Sequence, residues 1–103
     1  MQLRSSFSRE GLLVRDLVLV PGSCLLLLGG SDHLLHFYST STAEHVLSLE
    51  GHSDQVYRIL LLPSPPGQLR FLSLSKELLL WQLSLQHDQV LSSKVLRRQM
   101  VYS

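Results

Sequence analysis

Apolar runs of strand length alternate with short polar breakers along most of this chain. Eight such runs lie between clusters of Gly, Pro, Ser and Asp, which favour turns. They cover residues 12–20, 25–28, 34–38, 46–49, 56–62, 69–73, 78–83 and 90–92. Leucine dominates these runs and suits helices equally well, so the short distance between breakers decides for strands. The pattern therefore predicts eight short β-strands.

The order of runs and turns occurs twice. Pro21 aligns with Pro63 at a spacing of 42 residues, and Tyr38 aligns with Trp81 at a spacing of 43. In this register residues 18–20 fall on residues 60–62, and residues 35–38 fall on residues 78–81. One inserted residue in the longer turn at 63–67 accounts for the change of spacing. The alignment fails locally where Leu34 falls on Glu77, an apolar residue against a charged one.

The second copy carries the clearer motif, because Gly51-His52 opens a strand and Trp81 closes another about thirty residues later. This pattern, in a repeat of roughly forty residues, resembles the WD-repeat family, whose repeats form the blades of β-propellers. The resemblance implies an all-β fold of two four-stranded antiparallel blades. Because a propeller needs at least about four blades, the expected fold is an incomplete β-propeller.

The resemblance also divides the chain of 103 residues into four parts. They are an N-terminal segment at 1–12, a degenerate WD-like repeat at 13–52, a WD-like repeat at 53–93 and a basic tail at 94–103. A leucine-rich repeat is the competing pattern, carried by Leu69, Leu72 and Leu74. It lacks the ladder asparagine, since the chain contains no asparagine, and no copy recurs at 20 to 29 residues.

In WD-repeat proteins a His, a Ser or Thr, an Asp and a Trp form a buried hydrogen-bonded set. The resemblance assigns His52, Ser73, Ser75 and Trp81 to this set in the second repeat. Ser75 stands where the family has Asp, so the expected network lacks its charge and the charge-assisted hydrogen bond that goes with it.

The first repeat keeps another part of the same set. Asp32 occupies the family's Asp position, and Tyr38 replaces the Trp. Arg9-Glu10 stands where the Gly-His pair belongs. The resemblance therefore implies that Asp32 and Tyr38 are the structural residues of the first repeat.

Partners of WD-repeat proteins contact the upper face of the propeller, at positions that flank the first-strand valine and precede the turn Asp. The resemblance implies that these positions are Gln55, Tyr57, Leu74, Arg15 and Ser31. Tyr57 is the leading candidate, since an exposed aromatic residue with a polar tip gives a large contact area at little cost in entropy. The alternative is that Tyr57 packs against a neighbouring blade.

Charge and hydropathy narrow the kinds of partner. The net charge is only +1, and the one basic cluster lies at residues 94–98, so no nucleic-acid partner is expected. Pro21-Gly22 and Gly29-Gly30 interrupt the apolar run that starts at Leu17, so no membrane span is expected.

The single Cys24 excludes an intrachain disulfide and predicts a cytoplasmic location, with the nucleus as the alternative. Residues 1–15 also resemble a mitochondrial transit peptide, because they combine three arginines with serines and a single acid.

Candidate catalytic and metal-binding residues are sparse. His33 and His36 are three residues apart beside a predicted strand, which sends them to opposite faces. His45 and His87 have no Cys or carboxylate at ligand spacing. Cys24 is read as a small buried hydrophobe, and neither a nucleophile elbow nor a phosphate-binding glycine loop is present. We therefore expect no metal, no cofactor and no enzyme activity.

Two functions fit these expectations. The first is a non-catalytic protein–protein interaction or scaffold element that binds a protein or peptide through its upper loops. Its further blades would come from a longer chain or from self-association with another copy. The second is a truncated propeller fragment without independent function, whose open blade edges favour aggregation.

Overall fold

A computed structural model describes residues 12–87 and 89–101 of the chain. Its strands are β1 (Val14–Leu19), β2 (Leu25–Gly30), β3 (Leu35–Ser39), β4 (His45–Leu49), β5 (Arg58–Leu62), β6 (Gln68–Leu74), β7 (Glu77–Gln86) and β8 (Gln89–Met100). They form two antiparallel four-stranded sheets, in the order β1-β2-β3-β4 and β5-β6-β7-β8, with no helix among the described residues. The all-β prediction is confirmed. The two sheets leave the ring open, as in an incomplete β-propeller.

The strand bounds differ most from the prediction at the C-terminal end. β8 reaches Met100, so residues 94–100, expected to be a basic tail, are part of the second sheet. β8 is an edge strand with almost all of its side chains exposed, and such a strand carries no alternation of apolar and polar residues that its sequence could reveal. Its pairing with β7 shifts register twice, at Leu96 and at Leu91, which have no residue opposite them.

The two sheets pack face to face around aromatic rings. Phe37 of β3 meets Phe71 of β6 edge to face, with 6.4 Å between ring centroids. Phe71 in turn stacks on Trp81 of β7 at 6.0 Å. The fully formed core around these rings contains Val20, Leu25, Leu27, Leu35, Phe37, Leu49, Val56, Ile59, Leu69, Phe71, Leu79, Trp81 and Leu83. Offset and edge-to-face aromatic pairs of this kind add to the stabilisation from apolar burial.

Successive sheets use opposite faces for this contact. In the first sheet Leu35 and Phe37 face the second sheet. Their aligned counterparts in β7, Leu78 and Leu80, alternate with Leu79 and Trp81 and therefore lie on the face turned away from the first sheet. The contact therefore joins one face of the first sheet to the opposite face of the second, which is how successive blades pack, and the two sheets do not meet through equivalent faces.

The outer face of the first sheet is also covered. Leu26, Leu28 and Tyr38 form a second buried cluster there, and Leu12 and Val14 are among the residues packed against it. Both faces of β2 are consequently buried, which explains its unbroken apolar sequence.

A glycine with positive φ lies in the turn before β2 and in the turn before β6. Gly22 follows Pro21 with φ at 74°, and Gly67 follows Pro66 with φ at 80°. Glycine adopts this left-handed region without the steric penalty of a Cβ atom. Each turn therefore contains a Pro-Gly pair, but the proline that aligns with Pro21 is Pro63 and not Pro66.

Candidate functional site

A chain of hydrogen bonds crosses the core of the second sheet. The indole N–H of Trp81 donates to Oγ of Ser73 over 2.8 Å. The Ser73 hydroxyl lies 2.6 Å from Nε2 of His52, and Nδ1 of His52 lies 2.8 Å from Oε1 of Glu77. These contacts are all satisfied when His52 is neutral, because Nδ1–H then donates to Glu77 and Nε2 accepts the Ser73 proton.

Glu77 is the charged end of this chain and is 2% exposed. Its carboxylate also accepts the backbone N–H of Ser53 at 3.2 Å and the Ser53 hydroxyl at 3.1 Å. Nη1 of Arg98 lies 3.7 Å away. Burial alone would raise the pKa of Glu77, but the hydrogen bonds from His52 and Ser53 lower it below its ordinary value.

The pKa of His52 is lowered as well. The main cause of this shift is burial, which disfavours the imidazolium. The hydrogen bond to the Glu77 carboxylate opposes the shift without cancelling it. The neutral ring that the hydrogen-bond directions require is therefore also the form favoured by its surroundings. The pair holds the turn before β5 against the start of β7.

The membership of this network corrects the sequence expectation. His52, Ser73 and Trp81 meet as expected, but Ser75 is not the fourth member and the charge is not missing. The side chain of Ser75 is buried and its Oγ has no hydrogen-bond partner within the described part of the chain. Glu77 replaces it, because residues 77, 79 and 81 alternate onto one face of β7 and bring the carboxylate to the side that carries Trp81.

The first sheet has a different network on its outer face. Nε2 of His36 lies 2.7 Å from Oδ2 of Asp32, and Nδ1 of His36 lies 2.8 Å from Oγ of Ser48. Ser48 Oγ is in turn 2.8 Å from Nε2 of His45. A chain of donors runs from His45 through Ser48 and His36 to Asp32 and satisfies each of these atoms.

Of the expected structural residues of this repeat, Asp32 is a member of this network and Tyr38 contacts it through its ring. Tyr38 packs edge to face on His45, at 5.2 Å between ring centroids. Sequence reasoning missed His36, His45 and Ser48, because only the pairing of β3 with β4 places them together. The expected position of the first-repeat histidine, Arg9-Glu10, lies outside the described residues.

The five expected partner-binding residues lie at one end of the two sheets, where β1 and β5 begin and β2 and β6 end. Arg15 Nε donates to Gln55 Oε1 over 3.1 Å, which joins the two repeats. The backbone N–H of Tyr57 donates to the carbonyl of Leu74 at 2.8 Å. Ser31 lies directly after the end of β2, and its Oγ accepts the backbone N–H of Leu13 at 2.8 Å.

This upper end, defined by Arg15, Ser31, Gln55, Tyr57 and Leu74, is partly exposed. Tyr57 is the most prominent apolar residue, with 42% of its surface accessible. The alternative, that Tyr57 packs against a neighbouring blade, stays a prediction. At the opposite end of the sheets, the turns 21–23 and 63–68 line a cavity of about 620 Å³.

The hydrogen-bonded residues of the second sheet are buried, which limits their access to a substrate. Ser73, His52 and Glu77 follow the order of a nucleophile triad, but Ser73 is 0% exposed and its oxygen already accepts the Trp81 N–H. Within the described ranges no group of three or more His, Cys, Asp or Glu side chains is placed to hold a metal ion. Cys24 was expected to be buried, and it is exposed in the turn before β2. The prediction that Cys24 is a buried hydrophobe was therefore wrong.

No helix among the described residues has the length and apolarity needed to cross a membrane. Comparison with protein-family models and with curated proteins finds no match. The resemblance to WD-repeat proteins therefore stays a prediction from the sequence.

Proposed function

We propose that this chain is a non-catalytic protein-interaction element of the WD-repeat type, and that its upper end binds a protein or peptide. The observation that carries the proposal is the contact between Arg15 and Gln55, 3.1 Å across the two repeats. It combines positions from both sheets into one continuous surface. A surface shared by two blades suits recognition of an extended partner that crosses them.

The surface is held rigid from below. The carbonyl of Gly30 accepts the backbone N–H of Val56 at 3.0 Å, which fixes the entry to β5 against the end of β2. A Cβ atom on Gly29 would lie 2.7 Å from the Val56 side chain, so this close approach requires glycine. The His52–Glu77 pair anchors the same segment one turn earlier. Preorganisation of this kind lowers the entropic cost of binding.

The position of the buried polar groups in the described residues supports a binding role over catalysis. Ser73, His52 and Glu77 face the core, and their polar atoms form hydrogen bonds with one another that stabilise the fold. A single exposed cysteine fits a reducing compartment, and we place the chain in the cytoplasm, with the nucleus as the alternative.

The experiment compares partner capture by the native chain, Tyr57→Ala, Tyr57→Phe and Gln68→Ala. Gln68 lies at the opposite end of the sheets and serves as the matched control. Tyr57→Ala should lose most of the captured partner, Tyr57→Phe should keep a large part of it, and Gln68→Ala should keep all of it. Equal loss in Tyr57→Ala and Gln68→Ala, or loss in neither, would exclude the upper end as the binding surface.

The alternative of a fragment without independent function draws on Leu60, which is 59% exposed in the middle of β5. An exposed central leucine is typical of a surface that has lost its cover. Solution behaviour separates the two functions. A monodisperse species with β-type circular dichroism supports the interaction element, whereas soluble aggregate supports the fragment.

A further inference from the structure

The outer face of the second sheet carries a patch of five leucines, here termed the leucine face: Leu60, Leu72, Leu74, Leu78 and Leu80. Cross-strand pairing shows that they share one face, because Leu60 pairs with Leu72, Leu72 with Leu80, and Leu74 with Leu78. None of the five is buried. A shallow cavity of about 310 Å³ opens on this face.

Cations surround the leucine face. Arg58 pairs with Leu74, Arg97 with Leu80, and Arg70 and Lys94 both pair with Gln82, so all four cations lie on the same side of the sheet as the leucines. All four side chains are exposed. The described cross-strand pairs of this face contain no acidic residue. Asp16 borders the cavity, but its carboxylate accepts the N–H groups of Leu17 and Ile59 at 2.9 and 2.7 Å.

The equivalent face of the first sheet is covered by the second sheet. Val18, Leu35 and Phe37 are the aligned counterparts of Leu60, Leu78 and Leu80. Leu35 and Phe37 are buried in the core against the second sheet, and Val18 packs against this core while partly buried. In this chain the same position on a blade is thus covered once, by an apolar sheet, and left open once.

The cations distinguish between occupants of the open face. Two copies meeting leucine face to leucine face would bring two sets of four cations together, and like charges opposed across an interface are costly. A partner with acidic side chains around an apolar centre would bury the same leucines and gain from the charges instead.

We propose that the leucine face docks a protein surface that is apolar at its centre and acidic at its border. The apolar centre covers the leucines as the second sheet covers Val18, Leu35 and Phe37. The acidic border pairs with Arg58, Arg70, Lys94 and Arg97. Leu74 belongs both to this surface and to the upper end, whereas Tyr57 belongs to the upper end alone, so substitutions of Tyr57 distinguish the two surfaces.

A charge-reversed copy of the chain supplies the probe. The variant Arg70→Glu, Lys94→Glu, Arg97→Glu keeps the five leucines and presents them within an acidic border, while Arg58 is left unchanged to preserve the neighbouring upper end. Sedimentation velocity and fluorescence polarisation then compare native with native, and native with the charge-reversed copy. The matched control adds Leu72→Ser and Leu80→Ser to the charge-reversed copy, which retains its charge and removes the apolar centre. Circular dichroism and Trp81 emission check the fold of every variant.

The mixed pair should bind at least about tenfold more tightly than the native chain binds itself. Its affinity should fall as salt rises from about 0.05 M to about 0.5 M, because salt screens the charges at the border. The matched control should not bind. Mixed association no tighter than self-association, or unchanged in the matched control, would overturn the proposal.

Lipid vesicles separate a protein partner from a membrane surface. Vesicles of phosphatidylcholine with phosphatidylserine present anionic charge without an ordered apolar sheet. Weak vesicle binding beside a tight mixed pair supports the protein partner. Strong vesicle binding that Leu72→Ser with Leu80→Ser abolishes, without a mixed pair, would assign the leucine face to a lipid surface. Binding of the mixed pair should survive Tyr57→Ala, which keeps this test independent of the one for the upper end.

Discussion

Trp81 donates its indole N–H to the hydroxyl oxygen of Ser73 across 2.8 Å, from one strand of the second sheet to its neighbour. The same hydroxyl satisfies Nε2 of His52 at 2.6 Å. One buried serine therefore joins a tryptophan in the core to a histidine in a turn. Removal of its oxygen leaves a donor and an acceptor without a partner in an apolar environment.

Ser73→Ala should destabilise the chain by about 1–3 kcal/mol, because each unsatisfied buried polar group costs free energy. Ser75→Ala is the matched control. Both serines are buried, but Ser75 Oγ has no hydrogen-bond partner in the described part of the chain. The free energy of unfolding in urea, followed by circular dichroism, should therefore fall clearly for Ser73→Ala and change little for Ser75→Ala. Equal losses would mean that the Ser73 hydrogen bonds contribute no net stability.

Trp81→Ala should be the most destabilising single substitution, by about 3–5 kcal/mol, since it empties a large volume at the contact between the sheets. Trp81→Phe keeps much of the ring packing on Phe71 and loses the donated hydrogen bond, so it should cost less. Trp81 is the only tryptophan and is 3% exposed, so native emission should have the short wavelength of a buried indole. Emission at the wavelength of a hydrated indole would contradict the burial.

Stability should fall as pH is lowered from about 6.5. The pKa values of His52 and Glu77 are both lower in the folded chain than their ordinary values of 6.5 and 4.5. The unfolded chain therefore binds more protons than the folded chain below those values, and the free energy of unfolding decreases as the pH falls. The His52 contribution is present above about 6.5 and is lost first. The Glu77 contribution is lost below about 4.5.

Glu77→Gln isolates the second part of this dependence. The amide oxygen can still accept from His52, but it does not titrate, so the slope of stability against pH should flatten below about 4.5. Urea unfolding at a series of pH values measures the slope. A native chain whose stability rises on acidification from pH 6.5 would show that the sign is wrong.

Gly51→Ala tests the close packing beneath the turn. An added Cβ would lie 3.0 Å from the ring of Trp81 and 3.0 Å from a methyl group of Leu79. Overpacking of this kind typically costs about 1–3 kcal/mol. Glu50→Ala is the control, because Glu50 is exposed and surface changes usually stay within about 0.5 kcal/mol. Similar unfolding midpoints for the two variants would contradict the contact.

The sequence predicted the parts of the fold that repeat. Strand lengths between breakers, the paired turns at Pro21 and Pro63, and the aromatic residues Tyr38 and Trp81 depend on local order along the chain, so the two-sheet fold followed from them. The alternation of side chains along a strand could also have identified Glu77, because it lies two residues before Leu79 and four before Trp81 and therefore shares their face. It was missed because the family pattern directed attention to the turn position of Ser75.

Other features depend on pairing that local sequence does not encode. His36, His45 and Ser48 meet because β3 and β4 pair in one register, and a shift of one residue would turn them to different faces. The apolar runs between breakers predicted that Leu72 and Leu80 lie on strands. It could not show that their face remains open, since only the placement of the second sheet relative to the first reveals that.

The two register shifts in β8 limit what its open edge can do. A regular edge strand of twelve residues would offer an uninterrupted row of backbone donors and acceptors on which identical chains could add, one after another, into fibrils. Leu91 and Leu96 break that row into short pieces and bend the strand. Arg97 and Lys94 add charge beside the breaks. The edge is thereby protected against growth by strand addition, while the leucines on the adjoining face remain open to a specific partner.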